Sequence, residues 1–454
     1  MRSSRITLAV IVGLMLAAGV IFPSSPMAAT TQAKPSSTGL EEVAKLTASD
    51  GADPGTAQFG NHVAVSGGTA VVGAPNMHTA YNGVGAAYVF TRAGTAWVEQ
   101  TKLTPSDGLP GDRFGWSVAI SGNTIVVSSI WDDVGTNVDQ GSAYVFTRTA
   151  GTWTEQAKLT AAHGVSASQF GFSVAVEGDL AFIGAAHSLL ADADQEQVGL
   201  APQGKAYVFA RTGGTWTQQQ ELIASDRSFN DHFGTRIAFD GDTAVVGASG
   251  GKGSAYVFTR VGDTWLEQQR LVATSGADGD EFGFWVGVSR ETVVVGALSA
   301  SVTYAKQGAA YVFTRSAGIW TQQKRLVASD AAANDAFGRS VAVSGDTIVA
   351  GAMWDDAGTN VDENKGSAYV FNRTGGTWNQ TEKLTAHDAA DGDLFGVSVA
   401  ISGDTAVVGA SFAKVLGKSP IPAQGAAYVF DTCFRRHCRP RWGPRASTVG
   451  RSTF

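Results

Sequence analysis

Residues 337–384 read FGRSVAVSGDTIVAGA (337–352), a short loop, then GSAYVFNRTGGTWNQTEKL (366–384). This stretch is one copy of a unit that occurs seven times. An FG pair stands at Phe59, Phe114, Phe170, Phe233, Phe282, Phe337 and Phe395. Fourteen residues after each Phe comes a small pair, usually Gly-Ala, at Gly73, Ser128, Gly184, Gly247, Gly296, Gly351 and Gly409. A Tyr-Val-Phe triplet follows, starting at Tyr88, Tyr144, Tyr207, Tyr256, Tyr311, Tyr369 and Tyr428. Nine residues after the first six tyrosines stands Trp97, Trp153, Trp216, Trp265, Trp320 or Trp378. The period is 49 to 63 residues, and only the segment between the small pair and Tyr changes length. A period near 50 marks a propeller or a solenoid.

Each unit reads as four strands. After FG, apolar and small residues alternate, which is the strand period. Five of the seven copies then carry Gly-Asn or Gly-Asp, the sequence of a two-residue hairpin turn. The second strand, such as Thr243 to Ala248, is apolar on both faces and should be buried on both. Ala-Tyr-Val-Phe is β-prone and gives the third strand. The fourth runs from Trp through polar residues to Leu and suits an exposed edge, with its Trp packing on the blade. The expected fold is all-β: a seven-bladed β-propeller of four-stranded antiparallel blades, over residues 39–431.

The two ends predict how the ring shuts. Residues 40–46, LEEVAKL, align with a fourth strand, with Leu40 where Trp should be and Leu46 matching Leu159. The last unit keeps strands one to three, and no Trp stands nine residues after Tyr428. Pairing the N-terminal strand with the last blade completes it and removes two open sheet edges. An open solenoid would leave residues 40–46 without a partner.

Residues 1–29 read as a signal peptide: Arg2 and Arg5, an apolar run from Ile6 to Phe22, then small residues. An uncleaved anchor is the alternative. Residues 30–38 form a polar linker, and no later stretch could span a membrane. Residues 432–454 form a basic tail, expected to be disordered, with six Arg, no acid and both cysteines, Cys433 and Cys438. Between signal and tail, 25 basic residues face 40 acidic ones, a net of −15. Such a chain repels nucleic acid and anionic lipid. The expected location is secreted or cell-surface.

The FG and GA pairs flanking a hairpin resemble FG-GAP repeats, the propeller units of integrin α-subunit heads and of bacterial secreted proteins. The resemblance is closer to the bacterial form and covers about residues 40–430. The full FG…GAP spelling occurs once, at Phe59-Gly60 and Gly73-Ala74-Pro75. Integrin-type units often carry an Asp-x-Asp-x-Asp-Gly calcium loop between strands one and two. That turn is too short here in every copy, so calcium at that place does not carry over.

In a propeller, the loops between blades and those between strands two and three share one face. Here those loops hold the length variation and most of the acid. Asp107, Asp112, Asp226, Asp231, Asp330, Asp335, Asp388 and Asp393 lie between blades. Asp132, Asp133, Asp139, Asp192, Asp194, Asp355, Asp356 and Asp362 lie between strands two and three. A constant scaffold with one variable face points to binding there. The competing reading is a solvated rim whose Asp side chains bond turn amides. Two near-identical loops, WDDVGTNVDQG (131–141) and WDDAGTNVDENKG (354–366), place oxygens at Asp133, Asn137 and Asp139, and at Asp356, Asn360 and Asp362. Such alternation suits a hard cation such as Ca²⁺; Asx-turns are the alternative.

No HExxH, G-x-S-x-G or phosphate-loop motif is present. The expected role is an exported, non-enzymatic recognition or adhesion module for an extracellular protein or glycan. A secreted carbohydrate-active enzyme (a glycoside hydrolase or lyase) with paired carboxylates is the alternative, and a surface-layer scaffold is a third reading.

Overall fold

The computed structural model describes residues 39–50, 57–76, 83–188, 203–356, 363–414 and 424–432. The segments expected to be signal (1–29) and linker (30–38), and the expected tail from 433 onward, lie outside the described residues. No helix among the described residues is long and apolar enough to cross a membrane.

Seven four-stranded antiparallel sheets stand in a ring. We number the blades by their FG pairs, from one (Phe59) to seven (Phe395). In blade six the strands are Phe337–Ser344, Thr347–Ala352, Ser367–Thr374 and Thr377–Leu384. The first strand of every blade touches the first strands of both neighbours, so first strands line the axis and fourth strands face outward. Second strands such as Thr243–Ala248 are buried along their whole length. They have a sheet neighbour on each side and a blade on each face, which is why both faces are apolar.

The repeated letters are the joints between blades. A Cβ on Gly351 of blade six would sit 2.0 Å from the carbonyl oxygen of Gly396 in blade seven. A Cβ on Gly396 would meet the Ser367 carbonyl at 2.3 Å, and its φ is +91°. The FG and GA glycines are therefore two sides of one close backbone contact, where a Cβ on the standard backbone would clash. Phe337 is fully buried, edge-on to Tyr369 and Phe371 at 5.6 and 5.9 Å between ring centroids. On the outer strands, Trp378 Nε1 donates to Gln323 Oε1 of blade five at 3.1 Å, and Gln323 Nε2 donates to the Gly376 carbonyl at 2.8 Å. The same clasp recurs at Trp153 with Gln100, Trp216 with Gln156 and Trp320 with Gln268.

The N-terminal strand closes the ring as its alignment predicts. Leu40–Leu46 pairs antiparallel with Ala426–Thr432, with Leu46 opposite Ala427 and Lys45 opposite Tyr428. Val43 is skipped in the pairing, as Thr381 is in blade six. The borrowed strand thus reproduces even the bulge of the ordinary fourth strands. Leu46 is 2% exposed, in a core cluster with Phe59 and Tyr88 of blade one.

Candidate ligand-binding face

The two variable loop types lie on one face. In blades two, five and six the strand-two-to-three loop bonds to the inter-blade loop that follows it. Ala167 N donates to Val138 O at 2.8 Å, Asn334 N to Ala305 O at 2.9 Å and Gly392 N to Glu363 O at 2.7 Å. The opposite face carries only two-residue turns, such as Gly345-Asp346 and Gly375-Gly376. Exposed large apolar side chains on the variable side include Leu109, Val138, Phe229, Tyr304 and Trp354; Val261 and Ile319 are exposed at turns of the opposite face.

Most of the acid there is tied into the scaffold. Asp388 accepts from Tyr428 at 2.8 Å and from Lys45 at 2.6 Å. Asp50 does the same with Tyr88 and Lys102, Asp107 with Tyr144 and Lys158, and Asp226 with Tyr256 and Arg270. In each case the Asp follows one blade and the Tyr and cation belong to the next, so the triad is a second inter-blade tie. Burial alone would raise the Asp388 pKa, but the bonds from Lys45 and Tyr428 hold it below its usual value. Asp112, Asp280, Asp335 and Asp393 instead accept turn amides three residues upstream, at 2.6 to 2.8 Å.

Asp335 is buried and adds a pH dependence. Burial, with the nearby Asp355 and Asp356 charges, lifts its pKa to about 6 against the pull of the Ala332 amide and Lys383. The folded value lies above the unfolded one, so its favourable contribution is complete below about pH 4 and is lost as pH rises through 6. Asp335→Asn keeps an acceptor for Ala332. It should raise Tm by about 2 °C at pH 7.5 and leave it unchanged at pH 4, as read by calorimetry.

The loop positions marked for calcium are placed as follows. Asp133 Oδ1 accepts the amide of Asp139 at 2.8 Å, and Asn137 Nδ2 donates to Gln140 and to the Gly164 carbonyl. Asp356 Oδ1 accepts the amide of Asn364 at 2.8 Å. Asn360 and Asp362 lie outside the described residues, as do Asp192 and Asp194. Among the described residues, no three His, Cys, Asp or Glu side chains gather as a metal set.

A second cluster, at the axis, escapes the sequence reading. The residue before every FG has a left-handed φ between 52° and 59°, from Gln58 to Leu394, although none is glycine. The pairing of strands one and two then skips, between Phe233 and Ile237, Phe282 and Trp285, and Phe337 and Ser340. This bulge aims the next side chains at the channel. His62 of blade one stacks on Trp285 of blade five, 5.3 Å between ring centroids. Those blades are not neighbours, so the stack crosses the axis. The Arg236 guanidinium lies 4.3 Å from the Trp285 ring centre and 5.6 Å from that of Phe172. Arg339 lies 4.7 Å from Phe284. Trp116 completes the aromatic wall against Phe172 at 5.8 Å. Burial, helped by the two arginines, presses His62 down to about 3, so the ring is neutral and accepts the Val118 amide at Nδ1. The sequence carries only a faint trace of this cluster: the first residue after FG varies among Asn61, Trp116, Phe172, Thr235, Phe284, Arg339 and Val397.

The family model for the FG-GAP repeat matches seven times, over 40–90, 97–146, 153–209, 216–258, 265–313, 320–371 and 378–430. The chain belongs to the FG-GAP repeat family. No curated protein matches it. Each matched FG-GAP unit starts on a fourth strand and ends on the third strand of the next blade. The FG-GAP unit is therefore offset by one strand from the blade. This offset is why the first match, beginning at Leu40, supplies a strand to blade seven.

Proposed function

We propose that this FG-GAP propeller is an exported recognition or adhesion module, without catalytic activity, that binds an extracellular protein or glycan across its variable loop face. The observation that carries this reading is the asymmetry of the two faces. One has two-residue turns throughout; the other has loops of unequal length presenting Phe229, Tyr304 and Trp354 at 58, 51 and 39% exposure. Phe, Tyr and Trp are the side chains that binding interfaces favour. The reading includes calcium at the two WDD loops, through Asp133, Asn137, Asp139, Asp356, Asn360 and Asp362. The carbohydrate-active alternative needs carboxylates that reach a substrate, whereas Asp335 and Asp355 are buried and bonded inward.

The test is capture from extracellular material by the intact chain, with and without calcium, beside a Phe229→Ser/Tyr304→Ser/Trp354→Ser variant. A partner kept by the first and lost by the second is the expected result. Equal capture by both, or by neither, overturns the reading. Capture indifferent to calcium removes the cation from it.

A further inference from the structure

We propose that the loop-face mouth of the central channel is a carboxylate site, in which Arg236 and Arg339 receive one acidic side chain of a partner protein. The inference rests on the recognition reading above and names the chemistry of its centre.

The argument starts from an uncompensated charge. Arg236 is 8% exposed, and it donates to the carbonyls of Thr235 at 2.8 Å and Phe172 at 3.5 Å. Its Nε is buried with no acceptor, and so is Nη1 of Arg339. Among the described residues no carboxylate lies within ion-pair distance of either guanidinium. The nearest acidic influence on Arg339 is Glu281, which accepts from Ser299. Two cations side by side, Arg236 buried and Arg339 half-buried, disfavour each other. Burial lowers Arg236 to about 9, with Arg339 adding to the effect, and lowers Arg339 to about 10. A fold gains nothing from unpaired buried charge; such charge is costly until a counterion arrives.

The surroundings say what would arrive. Guanidinium forks with free N–H donors match a carboxylate in geometry. The walls are the faces of Trp116, Phe172, Phe284 and Trp285, which accept an aliphatic stem and exclude water. The His62–Trp285 stack crosses the axis beside the Arg236 guanidinium, so the site suits the end of a slim side chain. The rest of the molecule is strongly acidic, so an extended polyanion would meet repulsion at the rim. A single carboxylate on a slim stem avoids it. The aromatic contacts of the two arginines hold them in place before binding, which lowers the ordering cost.

The experiment uses the full chain and isothermal titration with acetyl-Gly-Glu-Gly amide, its Gln counterpart and glucuronic acid. The Glu peptide should bind at least about tenfold more tightly than the Gln peptide. Arg339→Met should abolish that preference while melting no lower than the parent, because it removes a half-buried charge whose Nη1 has no acceptor. Arg339→Lys should keep part of the preference. Equal binding of the two peptides, binding of neither, or a preference surviving Arg339→Met overturns the site. Tighter binding of glucuronic acid than of the Glu peptide overturns the assignment to a protein side chain. If loop-face capture persists while the carboxylate preference is absent, only this site fails and the recognition reading stands.

Discussion

Gly351→Val should cost the ring about 3 kcal/mol or more and lower its Tm by several degrees. The first added carbon would lie 2.0 Å from the Gly396 carbonyl and 2.5 Å from Ser340 Oγ, and the carbonyl belongs to the backbone of the next blade. Relief requires blades six and seven to part, and with them the packing between their sheets, including Val349 and Val370 against Phe395 and Val408. Valine is the informative choice, because blade two carries Ser128 at this place and accommodates it with a hydroxyl bonded to the Ser117 amide at 3.0 Å. The control is Gly345→Ala, at a turn with φ +58° and open space around the new carbon. It should cost only about 1 kcal/mol, from the backbone alone. Equal melting temperatures for the two variants would mean the glycine contact is not what holds neighbouring blades in register.

A chain that begins at Thr47 should melt about 10 °C lower and self-associate. It loses Leu46 from the core, the Lys45–Asp388 pair at 2.6 Å and the Glu42 contacts to His387. It also leaves Ala426–Thr432 as a bare edge with unpaired backbone groups. Analytical ultracentrifugation should show dimers or larger species. A synthetic peptide of residues 39–50 added in excess should return the monomer and most of the lost Tm. A truncated chain that stays monomeric with unchanged Tm would show that residues 40–46 do not hold the ring shut.

The fold was legible because seven copies average out local ambiguity. One FGRSVAVSG could be many things; seven at fixed spacing could not. The closing strand was legible for the same reason, since Leu46 falls on the Leu159 position of a known pattern. The fate of the acids was not. Asp107 meets Tyr144 and Lys158, and Asp388 meets Tyr428 and Lys45. Those partners sit in another blade, and loop acid that binds looks the same in sequence as loop acid that braces. The channel mouth was least legible. His62 and Trp285 are far apart in the chain and on opposite sides of the ring, so no local pattern predicts their stacking. Arg236 and Arg339 belong to no recognisable motif, and the bulge after each FG is what turns them toward the axis.

The one-strand offset between repeat and blade has a bearing on how the molecule is made. Leu46 waits for Ala427, so the first strand to leave the ribosome finds its mate only when almost the whole polypeptide exists. Until then six blades can assemble in order while a hydrophobic seam stays open at both ends. Contacts so distant in sequence are slow to form. Export through a pore in an unfolded state, followed by folding after release, would spare this protein a long interval in which its two loose ends could capture a sister chain instead of each other.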